Sequence, residues 1–69
     1  MTTTTIHFNG VALVTAASTL EALLRQQHLT DKRGIAVALN EQVIPKKDWP
    51  HTPLPPNAEV LVITATQGG

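Results

Sequence analysis

The sequence contains no cysteine and no tyrosine, and only one phenylalanine and one tryptophan. Without cysteine there is no disulfide, no thiolate metal site and no thiol nucleophile belonging to this chain. An excess of charge is missing as well, since five basic residues are matched by five acidic ones. A nucleic-acid binder ordinarily carries a positive excess that displaces counterions from phosphates, so no nucleic-acid partner is expected. Long apolar runs are also absent. Ile35–Leu39 and Val60–Ile63 fall far short of the roughly 20 residues that a membrane helix needs. The stretch Met1–Thr5 has neither a basic nor an apolar signal region, so it is not expected to be a signal peptide. The chain reads as a soluble, cytoplasmic protein with no membrane partner.

A length of 69 residues implies one small domain. Six Val, four Ile, eight Leu, Phe8 and Trp49 supply one thin core, enough for a single sheet with one helix on it. Such a core is too small to enclose a large cofactor, and none is expected to be bound. His7, His28 and His51 are separated by 21 and 23 positions, whereas zinc sites usually draw on closely spaced ligand pairs. No metal site is expected. The carboxylates Glu21, Asp31, Glu41, Asp48 and Glu59 show no pairing that suggests an acid–base couple. Ser18 lies outside any G-x-S-x-G elbow and is explained as a helix cap. The expectation is therefore a protein without catalytic residues of its own.

Local patterns order the elements. Thr4–Asn9 alternates, with Ile6 and Phe8 on one face and His7 on the other. Asn9-Gly10 suits a two-residue turn whose central residues both need positive φ, and Val11–Val14 returns as the second strand of a hairpin. Ser18-Thr-Leu-Glu21 fits a capping box. It opens a helix expected over 19–28, with Leu20, Leu23, Leu24 and Gln27 as its stripe and Glu21–Arg25 as a surface pair. Thr30–Gly34 is the exit loop, with Gly34 left-handed. Ile35–Leu39 reads as a strand, Asn40–Gln42 as a turn, and Val43-Ile44 as a short strand that Pro45 confines to a sheet edge. Lys46–Trp49 forms one helical turn, and Pro50–Asn57, with four prolines, a loop. Ala58–Ala65 is the last strand, apolar on both alternating faces and so suited to the sheet interior.

Placing that last strand parallel to the first gives an α+β fold. It is a β-grasp (ubiquitin-like) roll, a mixed sheet of four to five strands with one main helix on one face. Residues 1–69 form the single domain, with 66–69 as a flexible tail. With Val60 and Val62 turned to the helix, Leu61, Ile63 and Ala65 point outward and form a candidate partner-binding row. Trp49 is read as a plug under the proline loop, and Lys46-Lys47 as a solvated turn.

Gly68-Gly69 has no structural explanation, because nothing after it requires a turn. A tail with no side chain beyond Gln67 can thread a narrow channel. Its α-carboxylate, ionised at neutral pH, can attack a nucleotide phosphate to form an acyl-adenylate. The end then makes the chain a substrate and carrier. An incidental glycine pair on a plain β-grasp binding module is the alternative.

The segments Val37–Asn40, Val43–Pro45, Lys46-Lys47 with Trp49, Leu54 and Val60–Gly69 together resemble the ThiS family of sulfur carriers in thiamine thiazole synthesis. In that family an apolar strand ends in Asn, V-x-P-x-x-x-W follows, and a last strand runs into Q-G-G. The family commonly has Gly-Asp before the last strand, where this chain has Asn57-Ala58. Asn tolerates a left-handed backbone, so the turn is expected to survive. The resemblance implies that the Gly69 carboxylate is adenylated with ATP by an E1-like, ThiF-type enzyme. A sulfur donor protein then displaces AMP and leaves a thiocarboxylate, which a ThiG-type thiazole synthase takes up. Gln67 and Gly68 are the threaded positions. The same tail belongs to molybdopterin-synthase small subunits and to ubiquitin-like modifiers, which stay open as alternatives.

Overall fold

The computed structural model describes residues 2–31 and 33–64. The chain forms β1 (Thr4–Phe8), β2 (Val11–Thr15), α1 (Leu20–Gln26), β3 (Ile35–Leu39), β4 (Gln42–Val43), a 3-10 helix (Lys46–His51) and β5 (Glu59–Thr64). The five strands make one sheet in the order β2-β1-β5-β3-β4. β5 lies parallel to β1 and antiparallel to β3, so the last strand is interior and the sheet is mixed, as the β-grasp order requires.

Two two-residue turns set the registers. Asn9 and Gly10, at φ 51° and 83°, join β1 to β2; Asn40 and Glu41, at 50° and 71°, join β3 to β4. Both carry the positive φ pair of type I′ hairpins, whose twist matches that of the strands. The proline-rich segment closes differently. Ala58 N–H donates to Pro55 O at 3.2 Å, and Asn57 sits at φ 61°. Since Pro56 holds φ near about −65°, only the third turn residue is left-handed, which defines a type II turn. Asn57 thus supplies the conformation expected of it.

α1 covers one face of the sheet. Ile6, Leu20, Leu23, Leu24, Val37, Trp49, Leu54, Ala58 and Val60 form the core, with Phe8, Leu13, Leu29, Ile35, Leu39, Ile44 and Val62 packed around it. Each fully buried aliphatic side chain contributes about 1.5–3 kcal/mol relative to exposure. Trp49 is 3% exposed and its Nε1–H donates to Ile44 O at 2.9 Å. It is the plug read from the sequence, with its polar edge satisfied.

Four local expectations are corrected. The helix cap is Thr19, whose Oγ1 accepts from Ala22 N–H at 3.2 Å, not Ser18. The reason is tertiary: Ser18 O accepts from Leu54 N–H at 3.0 Å, and Thr19 bridges to Pro53, so the chain stays extended one residue further. Glu21 consequently has no capping role and pairs with Arg25 at 3.3 Å. The helix also stops at Gln26 rather than reaching His28. His28 takes φ 61°, its N–H bonds Arg25 O at 3.0 Å, and Leu29 N–H bonds Leu24 O at 2.9 Å. That is a Schellman ending, which turns Leu29 back onto the core. Finally, Pro50 and His51 belong to the 3-10 helix and not to the loop. The rest of the loop is held alongside the helix approach by Leu20 N–H to Thr52 O at 2.8 Å.

Candidate functional site

The helix covers one side of β5, and period-two alternation leaves the other side bare. Val60 is buried and Val62 half-buried toward α1, whereas Leu61 and Ile63 stand outward at 48% and 54% exposure. The sheet register explains their prominence. Leu61 faces Ala38 and Ile63 faces Ala36 on β3, and small neighbours leave the larger side chains raised above the sheet. Ala38 also faces Val43 on β4, which is 67% exposed. Val43, Ala38 and Leu61 therefore line up across three strands.

Beside Leu61 the sheet dips into a hollow of about 190 Å³, lined by His7, Gly10, Glu59, Val60 and Leu61. His7 and Glu59 are register partners on β1 and β5 and share this outer face. The base of β5 is fastened on both sides. Asn40 Oδ1 accepts from Glu59 N–H at 2.9 Å, and Asn9 Oδ1 accepts from Val62 N–H at 2.8 Å. The two turn asparagines thus serve twice, by taking positive φ and by capping the strand that carries the outward row.

Of the residues singled out in the sequence, Leu61 and Ile63 share one exposed face. Ala65, Gln67, Gly68 and Gly69 lie outside the described residues. The three histidines are spread over the fold: His7 on β1, His28 after α1 and His51 at the end of the 3-10 helix. Among the described residues no group of three His, Asp or Glu side chains is arranged to hold a metal. No helix among them is long and apolar enough to cross a membrane. Val43 is a member of the outer face that sequence reasoning missed. Its signal was available in the two-residue turn Asn40-Glu41, which fixes Val43 opposite Ala38.

A protein-family model, described as the ThiS family, matches residues 3–69. The chain belongs to the ThiS family. Membership supports a sulfur-carrier role, with partners among the enzymes of thiamine biosynthesis. Among solved structures, the crystal structure of a thiamine biosynthesis protein (ThiS) from Geobacter metallireducens superposes with a TM-score of 0.79. The match covers 94% of this chain and 99% of that one, at 18% sequence identity. At that identity the likeness shows a shared fold. A search of the curated proteins finds no match.

Proposed function

We propose that this chain is a sulfur carrier for thiamine thiazole synthesis and that Gly69 bears the transferred sulfur. The observation that carries the reading is the family match, which extends through Gln67-Gly68-Gly69. In this reading a ThiF-type enzyme binds the carrier and ATP, and the Gly69 carboxylate attacks the α-phosphate, releasing pyrophosphate. Sulfur from a donor protein displaces AMP at the acyl carbon, leaving a thiocarboxylate. A ThiG-type thiazole synthase then receives it. The chain holds no cofactor and performs no catalysis; ATP is consumed by its partner, in the cytoplasm.

Several features support the division of labour. A tail that ends in two glycines enters a narrow active site with no rotamer entropy to lose beyond Gln67. The apolar row of Leu61, Ile63 and Val43 ends where the tail begins, so one surface can dock while the tail reaches the reacting atoms. Ala65 belongs to that row in this reading.

The test is the intact mass of the chain after incubation with the adenylating enzyme, ATP and a sulfur donor. The expected result is a gain equal to exchanging one oxygen for sulfur, localised to Gly69. An unchanged mass beside a demonstrably active enzyme refutes the proposal. A chain extended by one residue beyond Gly69 is expected to fold normally and gain no sulfur.

A further inference from the structure

β5 is an interior strand along only part of its length. On its β3 side it is paired from Val60 to Thr64. On its β1 side the pairing ends at Val60, because β1 stops at Phe8 and the chain turns back at Asn9-Gly10. Strand parity then assigns the backbone groups. Asn40 N–H donates to Glu59 O at 2.8 Å, so the odd-numbered residues of β5 aim at β3. The even-numbered residues aim at β1: Ala58 O accepts from His7 N–H at 2.8 Å and Val60 O from Asn9 N–H at 2.9 Å. One step further the neighbouring strand is gone, and the Asn9 side chain takes the Val62 N–H in its place.

Past that cap, the carbonyl of Val62 and the N–H of Thr64 face a notch in the sheet above the hairpin turn. Neither has a hydrogen-bond partner among the described residues. A main-chain acceptor and donor two residues apart on one strand edge match the spacing of an added strand. Helices satisfy their own backbone groups, and an apolar side chain offers neither a donor nor an acceptor. An extended backbone supplies a donor and an acceptor together at this spacing, whereas a side chain such as Asn9 answers a single N–H.

We propose that the notch receives an extended segment of the adenylating partner, which joins the sheet as a short strand beside Val62–Thr64. This rests on the carrier reading above and adds how the partner holds the tail. Ile63 stands outward next to the notch at 54% exposure, so the added strand presents an apolar side chain beside it. Thr64 directly precedes 65–69. Fixing the backbone at Val62–Thr64 sets the direction in which the tail leaves and removes part of the ordering cost of reaching the active site.

The test uses amide hydrogen exchange of the full chain, free and in complex with the ThiF-type adenylating enzyme without ATP. Ile63 N–H, aimed at β3, is expected to be protected in both states and serves as the internal control. Thr64 N–H is expected to exchange fast in the free chain and to slow at least tenfold in the complex. A total synthesis that replaces the Ile63–Thr64 amide by an ester removes the Thr64 donor and weakens the Ile63 carbonyl as an acceptor toward β3. It is expected to weaken enzyme binding roughly tenfold, as loss of one well-placed hydrogen bond does, with the chain still folded and its melting temperature lowered only as far as the weaker Ile63 acceptor dictates. Equal binding by ester and amide chains, or Thr64 protection already present in the free chain, overturns the inference. Protection that depends on chain concentration without enzyme also overturns it, in favour of a second copy. In each of these results the unmodified chain still binds and gains sulfur, which leaves the carrier reading standing. An unmodified chain that neither binds nor gains sulfur overturns both.

Discussion

Glu41 occupies the second central position of the β3–β4 turn at φ 71°. Glycine is the residue that this position of a type I′ turn favours, and Gly10 holds it in the other hairpin at φ 83°. For an L residue the left-handed region costs about 1–2 kcal/mol, because Cβ crowds the carbonyl that follows. Glu41 is exposed and has no side-chain hydrogen bond or ion pair among the described residues. Replacing it therefore removes strain and little else. Glu41→Gly returns part of that gain, since glycine has about 0.5–1 kcal/mol more unfolded-state entropy to lose. The net expectation is stabilisation by about 0.5–1 kcal/mol. For a domain of this size that is a rise in melting temperature of about 3–6 °C. Thermal and urea unfolding followed by circular dichroism measure it, with an unchanged urea slope as the sign of an intact two-state transition. Gly10→Ala is the mirror experiment. A Cβ there meets nothing within 4 Å, so the expected loss of about 0.5–1 kcal/mol is backbone strain less the chain entropy that glycine would lose on folding. If Glu41→Gly lowers the melting temperature while Gly10→Ala leaves it unchanged, the assignment of strain to positive φ in these turns is refuted.

Thr19→Ala is expected to cost about 1 kcal/mol through loss of the cap, with Ser18→Ala close to neutral in the same melt. The reverse order would restore Ser18 as the cap. Trp49→Phe is expected to cost about 1–3 kcal/mol, because it strands the Ile44 carbonyl that Nε1 now satisfies; urea unfolding reads it, and an unchanged midpoint counts against the plug. Leu61→Asp and Ile63→Asp are expected to weaken binding of the adenylating enzyme more than tenfold in calorimetry, with melting temperatures within a few degrees of the parent chain. Unchanged binding would remove the outer face from the docking surface.

Much of the fold was legible because its signals are local. Asn9-Gly10 announces a hairpin, Leu20, Leu23 and Leu24 a buried helix face, and Pro45 the edge position of β4. The apolar run Val60–Ile63 marked the interior strand, although its two faces differ: one packs on α1 and the other is bare. What escaped was decided by contacts between distant segments. Ser18 is the better cap in isolation and completes the capping box, and pairing with Pro53 and Leu54 moves the cap to Thr19. His28 carries no sequence mark of a left-handed ending, yet burying Leu29 requires one. The end of β1 is a length mismatch between strands far apart in sequence, so no periodicity within β5 discloses its open edge. The outward row of Leu61 and Ile63 was legible as geometry; Val43 needed the register.

β5 carries a buried row and an outward row through a period of two. Val60 and Val62 face the core while Leu61 and Ile63, one residue away in each case, face solvent. A slip of one residue would exchange the two sets, burying the outward row and exposing the core-facing valines. Register must therefore be held firmly in a strand whose two faces are almost equally apolar and cannot discriminate by hydrophobicity. The Asn9 and Asn40 side chains supply that discrimination. Each bonds one defined N–H of β5, at Val62 and Glu59, from a turn whose own position is fixed by positive φ. They act as polar pins where side-chain polarity gives no preference, which explains why asparagine suits both turns beyond its backbone tolerance. Asn40→Gly would keep the turn and remove the pin. It separates the two roles: heightened exchange at Glu59 and Leu61 with the hairpin intact supports register control, and unchanged exchange leaves the turn conformation as the sole function of the residue.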